Sequence, residues 1–576
     1  MLPKSLQARW VLAVGLVAGL FFRLAIVFGG DEGIVWPDEV YQSFEPAHRL
    51  VFGHGLVAWE FIEGARNWAL PGFVAFWMKL SALFGGDSPV VYVHVVKLVF
   101  ALMSLGAAWG VYRLAVVLGA RELPAAVAAG LWSCCALALY FGHRAMSENA
   151  SALPVVWGLA LVLEEDGPRR RLLLGASLLG VATLLRLQAG IFCAGALLIL
   201  AGRALAASRR ARAGESGGRQ ASGGTAPTSG RAVAASSGKE SASGGTPVTS
   251  GSTAGAASSG APASSGAASS SGTSSSGAAA SGGAASGARP SPWGRVGWVS
   301  GVLVLWAVAF GALDAATWSQ APGAKYGGWF HSAVVYLRFN LIEGRAAGWG
   351  TSPWSYYLKH LFLSMPGVAL ALGVGVLASL RRATGVALLV LAFLGLHMGV
   401  AHKELRFILP VLPVACALVG VALSLLPTRE GEKEAPARFT ALVTGAVLLA
   451  VGWSAARHRF LTMGDIGSYL ERGTATAWDD FGNVNRLLLA ASRQKDLCGL
   501  RIDVAHLAWT GGVTYLHTNA MLYSAGMPPQ QGYFNYVITF PGSGGEVMAQ
   551  DHGIELVRIP GLTTCRPYPG YTWRLP

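Results

Sequence analysis

The chain has 576 residues, 53% of them hydrophobic and only 13% charged, a balance that excludes an ordinary soluble globular protein and points to many membrane spans. Its formal charge of +14 would fit a nucleic-acid binder, but Lys and Arg gather in short clusters between apolar runs. That pattern sets membrane topology, and nucleic acid is excluded as a partner on this ground.

In chain order, Lys4 and Arg9 precede an apolar run from Trp10 to Phe28. The run is too long for the core of a signal peptide and has no small-x-small cleavage site, so it reads as an uncleaved first span with its N-terminus inside. Further spans are expected near 90–118, 124–141, 149–163, 172–187, 189–206, 296–313, 357–379, 384–400, 407–426 and 439–456. These make about eleven helices of a length that suits a ~30 Å hydrocarbon core, each satisfying its own backbone. Alternation then puts Arg121, Arg169, Arg170, Arg171, Arg209, Arg210, Arg212, Arg381, Arg382 and Arg429 on the inside. The expected fold class is an all-α polytopic membrane protein with a small mixed α/β domain at its C-terminus.

Four segments follow from this reading: a membrane module over 1–207 that includes an outer loop at 29–89, a Ser/Gly/Ala-rich linker over 208–292, a second membrane module over 293–456 and an outer domain over 457–576. The linker has almost no large apolar side chain to bury and is expected to be a flexible cytosolic tether. Cys134, Cys135, Cys193 and Cys416 lie in apolar runs and read as packing residues, with no metal-ligand spacing. Cys498 and Cys565 lie in the polar tail and are expected to pair if that tail faces an oxidising compartment.

Three outer segments carry chemistry. The first is "GIVWPDEVYQSFEPAHRLVFGHGLVAWEF", followed by "GARNWALPG". Asp38 and Glu39 open a helix after Pro37, where carboxylates either cap the helix or serve as a proton acceptor. The same helix alternates Tyr41, Phe44, Leu50 and Phe52 with Gln42, Glu45, His48 and Arg49, an amphipathic pattern expected at a membrane interface. The second, from Asp314 to His360, is rich in Trp and Tyr and offers Lys325, Arg338 and Asn340 as donors. Its rings form an aromatic belt or stack on sugars. The third, "AHKELRFILPVLP", places His402, Lys403, Glu404 and Arg406 at the entry of a span. These side chains either snorkel outward or form a phosphate site from amides, a point charge and a guanidinium fork.

Together "WPDEVYQSFEPAHRLVFGHGLVAWEF", "ARNWALPG", "FNLIEGRAAGWGTSPWSYYL" and "HKELRFILPVLP" resemble the signatures of glycosyltransferase family 22, with support from "HRAMSENAS", "LLRLQAGI" and "HLAWTGGVTYLH". These are mannosyltransferases of the GT-C fold, among them the enzymes that extend lipid-linked oligosaccharide and the glycosylphosphatidylinositol anchor. The resemblance implies inverting transfer of mannose from a polyprenyl-phosphate donor to a glycan or glycolipid hydroxyl on the non-cytosolic face. No further cofactor is implied, and dependence on a divalent cation stays open.

By the same resemblance Asp38 is the base and Glu39 its supporting acid, while His402, Lys403 and Arg406 hold the donor phosphate. Glu404, Gln42, Arg66, Trp68, Asn340, Arg338 and Tyr357 are candidate substrate contacts. Trp36 and the Arg66-Asn67 pair depart from the family pattern of His and Arg-Ser, which bears on the acceptor. The linker and compact tail look bacterial, so an inner membrane with a periplasmic active site is expected, or an endoplasmic-reticulum lumen for a eukaryotic source. Two alternatives remain at this point: a GT-C transferase of another sugar, and a lipid or sugar transporter using Arg186, Asp314 and Arg338.

Overall fold

The computed structural model describes residues 3–31, 33–34, 36–221, 290–427, 434–468, 473–525, 532–566 and 568–575. Two compact units divide the chain: Met1–Ala206 with Arg289–Pro576, and Ala207–Ala288. Residues 222–289, most of the expected linker, and the basic Arg429 lie outside the described residues. The helix Gly190–Ala221 continues past the expected linker start at 208, through Ala and Arg residues that favour helix.

Among the described residues, five helices are long and apolar enough to cross a membrane: Leu6–Gly29, Pro89–Val117, Leu187–Arg212, Pro292–Trp318 and Arg438–Arg457. Shorter apolar helices, including Ser147–Leu163, Pro366–Ser379, Thr384–Gly399 and Leu412–Leu423, pack among them. One, Ala69–Leu83, lies inside the stretch read as a loop at 29–89. Its apolar run follows directly on the polar "GARNW" segment, and Pro71 sits in its first turn, where a missing N–H costs nothing.

Three expected spans are interrupted. The 357–379 run breaks at Met365, just before Pro366, because the residue before proline avoids the α region. The 407–426 run starts as a 3-10 turn, Leu405–Ile408, and becomes α-helical only from Leu412 to Leu423. The 124–141 run breaks at Cys135, which is extended, without any proline to announce it. Polar side chains satisfy that break: Ser454 Oγ accepts from Ala136 N at 2.8 Å, and Arg23 donates to Ser133 O at 2.7 Å and to Ser104 Oγ at 3.0 Å. Arg23, a charge in the first span, thereby engages backbone and hydroxyl acceptors through both terminal nitrogens.

The C-terminal domain carries a five-stranded sheet in the order β2-β1-β3-β5-β4, with β1 at Gly499–Ile502, β2 at Met521–Ser524, β3 at Tyr536–Thr539, β4 at Glu546–Asp551 and β5 at Ile554–Arg558. β1 is parallel to β2 and β3, whereas β5 is antiparallel to β3 and β4. His552 and Gly553 both have positive φ, 42° and 79°, the two-residue turn that matches strand twist. Cys498 and Cys565 are joined by a disulfide with their Cα atoms 5.5 Å apart.

This domain sits on the segment that follows the first helix. The helix of Asp38 runs from Pro37 through a widened π turn, Val40–Phe44, into Glu45–Phe52. Its polar residues Gln42, Glu45 and His48, expected to face water, are all buried. Glu45 accepts from Leu56 N at 2.6 Å, Thr514 N at 2.7 Å and Thr514 Oγ1 at 3.0 Å. Gly512 permits this approach, since it has φ 57° and a Cβ there would lie 2.5 Å from the Glu45 carboxylate. Tyr41 donates to Leu507 O, and His48 Nε2 meets His517 Nδ1 at 2.9 Å. The amphipathic face therefore has a protein partner, which a reading of the helix by itself does not supply.

Candidate active site

Pro37 fixes the first turn of its helix and sends the two adjacent carboxylates in different directions. Asp38 Oδ2 meets Arg406 Nη2 at 2.5 Å, and its side chain stays 25% exposed. Glu39 is fully enclosed: it takes Arg144 Nη1 at 3.2 Å and Ala145 N at 3.0 Å. Arg144 also reaches Asp480 Oδ2 at 3.5 Å. Of the pair, only Asp38 faces open space; Glu39 anchors the helix to the 144–145 turn and, through Arg144, to the C-terminal domain.

Arg406 is the hub of a second buried network. Its Nε and Nη2 each donate to Glu404 at 2.8 Å in fork-to-carboxylate geometry, and Nη1 reaches Glu148 Oε1 at 3.3 Å. Glu148 in turn pairs with Arg186 at 2.9 Å, and Arg186 Nη1 donates to Ser147 Oγ at 3.0 Å. Arg186 is delivered by a break after the helix Arg169–Leu185, where its own backbone is extended. Burial alone would raise the Glu404 carboxyl, but Arg406 and His402 overcome it and hold it down at about 2. A carboxylate so fixed keeps the guanidinium plane aimed at Asp38.

The other cations of the "HKELRF" stretch are placed differently. His402 has Nε2 3.2 Å from Glu404 Oε1 and Nδ1 3.1 Å from Gly350 O. Lys403 is buried and donates to Ser352 O at 2.8 Å and Val400 O at 2.5 Å. Its ammonium ties two loops together, and burial lowers its pKa. The snorkelling expected for an interfacial lysine is absent at this residue, which points inward instead.

A narrow cleft has Gln42, Arg66, Asn67, Ser147, Gln188 and Tyr336 in its walls, and Ser147, which accepts from Arg186, links it to the ionic network. The Arg66 guanidinium lies 5.3 Å from the centre of the Tyr336 ring, and Gln188 donates to the Tyr336 hydroxyl. Asn340 is one step removed, donating to Tyr336 O at 2.8 Å. Trp68 packs at 4.9 Å from the Phe61 ring and 6.2 Å from Trp318, while Tyr357 is enclosed at 1% exposure. Arg338 lies at the surface paired with Glu343 at 2.5 Å. Trp59, Phe339 and Trp349 form a ring stack, with 4.3 Å between the first two and 5.2 Å between the last two.

The geometry thus gathers Asp38, Gln42, Arg66, His402, Glu404 and Arg406, and leaves Arg338, Trp68 and Tyr357 in packing or surface roles. It adds Arg144, Glu148, Arg186 and Asp480, which the residue reading gave no catalytic part. The first three carried a signal, since ionisable residues in apolar surroundings are costly unless paired. Asp480 carried none. Burial pushes its carboxyl up to about 7, with Lys97 and Arg144 acting against that rise.

The profile of the Alg9-like mannosyltransferase family matches residues 16–210 and 295–488, stretches that include Asp38, Glu39, Arg144, Glu148, Arg186, His402, Lys403, Glu404, Arg406 and Asp480. GPI mannosyltransferase 3 of Drosophila melanogaster is 40% identical over 103 residues, 18% of each chain. GPI mannosyltransferase 3 of Yarrowia lipolytica is 36% identical over 115 residues, 20% of this chain and 22% of the relative. The matched stretches are thus about a fifth of those relatives' lengths. The structure of ArnT from Cupriavidus metallidurans bound to undecaprenyl phosphate has a TM-score of 0.52 at 14% identity, covering 97% of this chain and 98% of that one. That likeness is one of fold, the GT-C fold of membrane glycosyltransferases. With the family profile spanning both membrane modules and the whole ionic network, the chain belongs to the Alg9-like mannosyltransferase family.

Proposed function

We propose that this protein is an integral-membrane, inverting mannosyltransferase that moves mannose from a polyprenyl-phosphate donor to a hydroxyl of a glycolipid or glycan. The observation that carries the reading is the Asp38–Arg406 pair, a partly open carboxylate held at 2.5 Å from a buried guanidinium. Inversion needs one base and one stabilised leaving group. Asp38 takes the proton of the acceptor hydroxyl as its oxygen attacks C1 of the sugar. Arg406, with His402 beside it, meets the charge that collects on the phosphate as the C1–O bond breaks, already oriented by Glu404 and Glu148. Lys403 fixes the 350–353 and 400–404 loops around that point.

The non-cytosolic face is favoured by the Cys498–Cys565 disulfide, which belongs in an oxidising compartment, because its domain packs on the loop that bears Asp38. The family relatives named above direct attention to a glycolipid acceptor. The test is transfer of radiolabelled mannose by membranes containing the protein, from polyprenyl-phosphate mannose in one arm and nucleotide-linked mannose in the other. Transfer from the lipid donor alone supports the reading; transfer from the nucleotide donor with purified protein contradicts it.

A further inference from the structure

The 3-10 turn Arg345–Trp349 is bracketed by Gly344 and Gly350, with φ 61° and 105°, values that suit glycine. The chain that leaves it is laced to the His402 stretch. Gly350 O lies 3.1 Å from His402 Nδ1, Ser352 N donates to Ala401 O at 3.0 Å, and Lys403 Nζ donates to Ser352 O at 2.8 Å. The rings of Trp349 and His402 stand 6.1 Å apart, edge to face. The indole therefore borders the network that runs through Glu404 and Arg406 to Asp38.

Two further rings back it. Phe339 lies 5.2 Å from Trp349 and Trp59 lies 5.6 Å from it, with all three planes close to parallel. Phe339 is 5% exposed, whereas Trp349 keeps 53% of its surface open. A ring that serves packing alone is enclosed, and an indole in an interfacial belt meets lipid. Trp349 does neither. Arg345, at the head of the same turn, pairs with Glu63 at 3.3 Å with side chains 51% and 40% exposed, and its guanidinium lies 4.6 Å from the centre of the Phe339 ring. An open ion pair here marks a rim that faces water, since acyl chains exclude charge. Trp59 meanwhile begins the short helix Trp59–Ile62, whose Glu60 accepts from Gln42 at 2.8 Å, a residue of the helix that opens with Asp38. The ring cluster thus touches both halves of the site, the Asp38 helix through the helix of Trp59 and the His402 turn through Trp349.

We propose that Trp349 is the platform on which a pyranose ring of the substrate stacks, with Trp59 and Phe339 holding its indole in place. This inference deepens the proposed function and rests on its reading of a mannose-bearing lipid as donor. One side of a mannose ring is a patch of C–H bonds, which an open aromatic face takes out of water. Its hydroxyls stay at the polar rim, where Arg345 donates and Glu63 accepts. The donor's mannose and a mannose at the end of a glycan acceptor present this same chemistry.

The test is binding to purified protein of three probes: polyprenyl-phosphate mannose, bare polyprenyl phosphate and a mannose-terminated glycolipid. Wild type is compared with Trp349→Leu and Trp349→Phe, with the thermal midpoint measured alongside. Trp349→Leu keeps an apolar side chain and loses the flat ring. It is expected to weaken a mannose-bearing probe on the order of tenfold, with bare polyprenyl phosphate and the thermal midpoint unchanged, while Trp349→Phe keeps most of the affinity. Loss for the donor assigns its mannose to the indole; loss for the glycolipid assigns the acceptor's. In wild type, the mannose-bearing probe is also expected to protect Trp349 from oxidation by N-bromosuccinimide, read by mass spectrometry, and bare polyprenyl phosphate is not. Equal loss, or equal protection, for polyprenyl phosphate with and without mannose overturns the proposal, because the ring then meets the prenyl chain. Unchanged affinity for all three probes overturns it as well. Failure of the underlying reading is distinguishable, since wild type then binds no mannose-bearing lipid, and the present proposal falls with it.

Discussion

Asp38 keeps 25% of its side chain open, while Glu39, one residue on, keeps none. The sequence marks both as helix-opening carboxylates, and nothing local separates them. What separates them is the partner each meets from far along the chain, Arg406 for one and Arg144 for the other. Arg144 joins two buried carboxylates, Glu39 and Asp480, and removing one member of a buried pair costs about 3–5 kcal/mol. Arg144→Leu is accordingly expected to lower the thermal unfolding midpoint sharply. A midpoint within a degree or two of wild type would show that the pairs carry little weight. Arg406→Lys keeps the charge but loses the planar fork that meets Asp38, Glu404 and Glu148 at once. It is expected to reduce kcat by more than tenfold while the protein stays folded, and near-normal kcat would count against orientation by the fork.

At the scale of elements, the helix Glu45–Phe52 and the turn at His517 form a junction whose stability depends on pH. Burial lowers the His48 imidazole to about 3, the His517 and His54 charges adding to this, and burial lowers His517 as well. Unfolded, each takes a proton near pH 6.5, so the unfolded state binds more protons below that value and stability falls as pH falls. For His48 this loss is about 1.4 kcal/mol at pH 5.5. Glu45 works in the opposite sense, because burial raises its carboxyl to about 7 and the folded state then gains protons as pH falls below that point. Comparing wild type with His48→Gln isolates the histidine part: the variant is expected to lose less of its unfolding midpoint between pH 7.5 and 5.5. Equal losses in both proteins would contradict the assignment. The breaks at Met365 and after Ile408 fall inside spans read as continuous, although their cause is local, the prolines at 366 and 410. The break at Cys135 is different, because its cause is Arg23 and Ser454 taking up the freed backbone groups from other helices.

Across the whole molecule, the apolar runs, the topogenic charges and the "PDE" and "HKELRF" stretches were legible as a membrane enzyme of a recognisable kind. Which ionisable groups touch was not, because Asp38 and Arg406 stand 368 positions apart and Arg144 and Asp480 stand 336 apart. The mixed α/β character of the C-terminal region was legible, but its seat on the Asp38 helix depends on Glu45, Thr514 and Gly512 fitting together. Its disulfide closes a separation of 67 residues, and such a bridge contributes about 2–5 kcal/mol in a small exported domain. Cys498→Ser is expected to lower the domain's resistance to proteolysis while leaving the membrane helices folded; unchanged proteolysis would mean the bridge is dispensable. The central claim is that Asp38, poised on Arg406, takes the acceptor's proton during mannose transfer. It is tested most directly by measuring transfer from radiolabelled polyprenyl-phosphate mannose in membranes of the native host, wild type against Asp38→Asn at equal folded protein and equal donor binding. The account predicts labelled product with wild type and none above background with Asp38→Asn, whereas substantial transfer by the variant would contradict it.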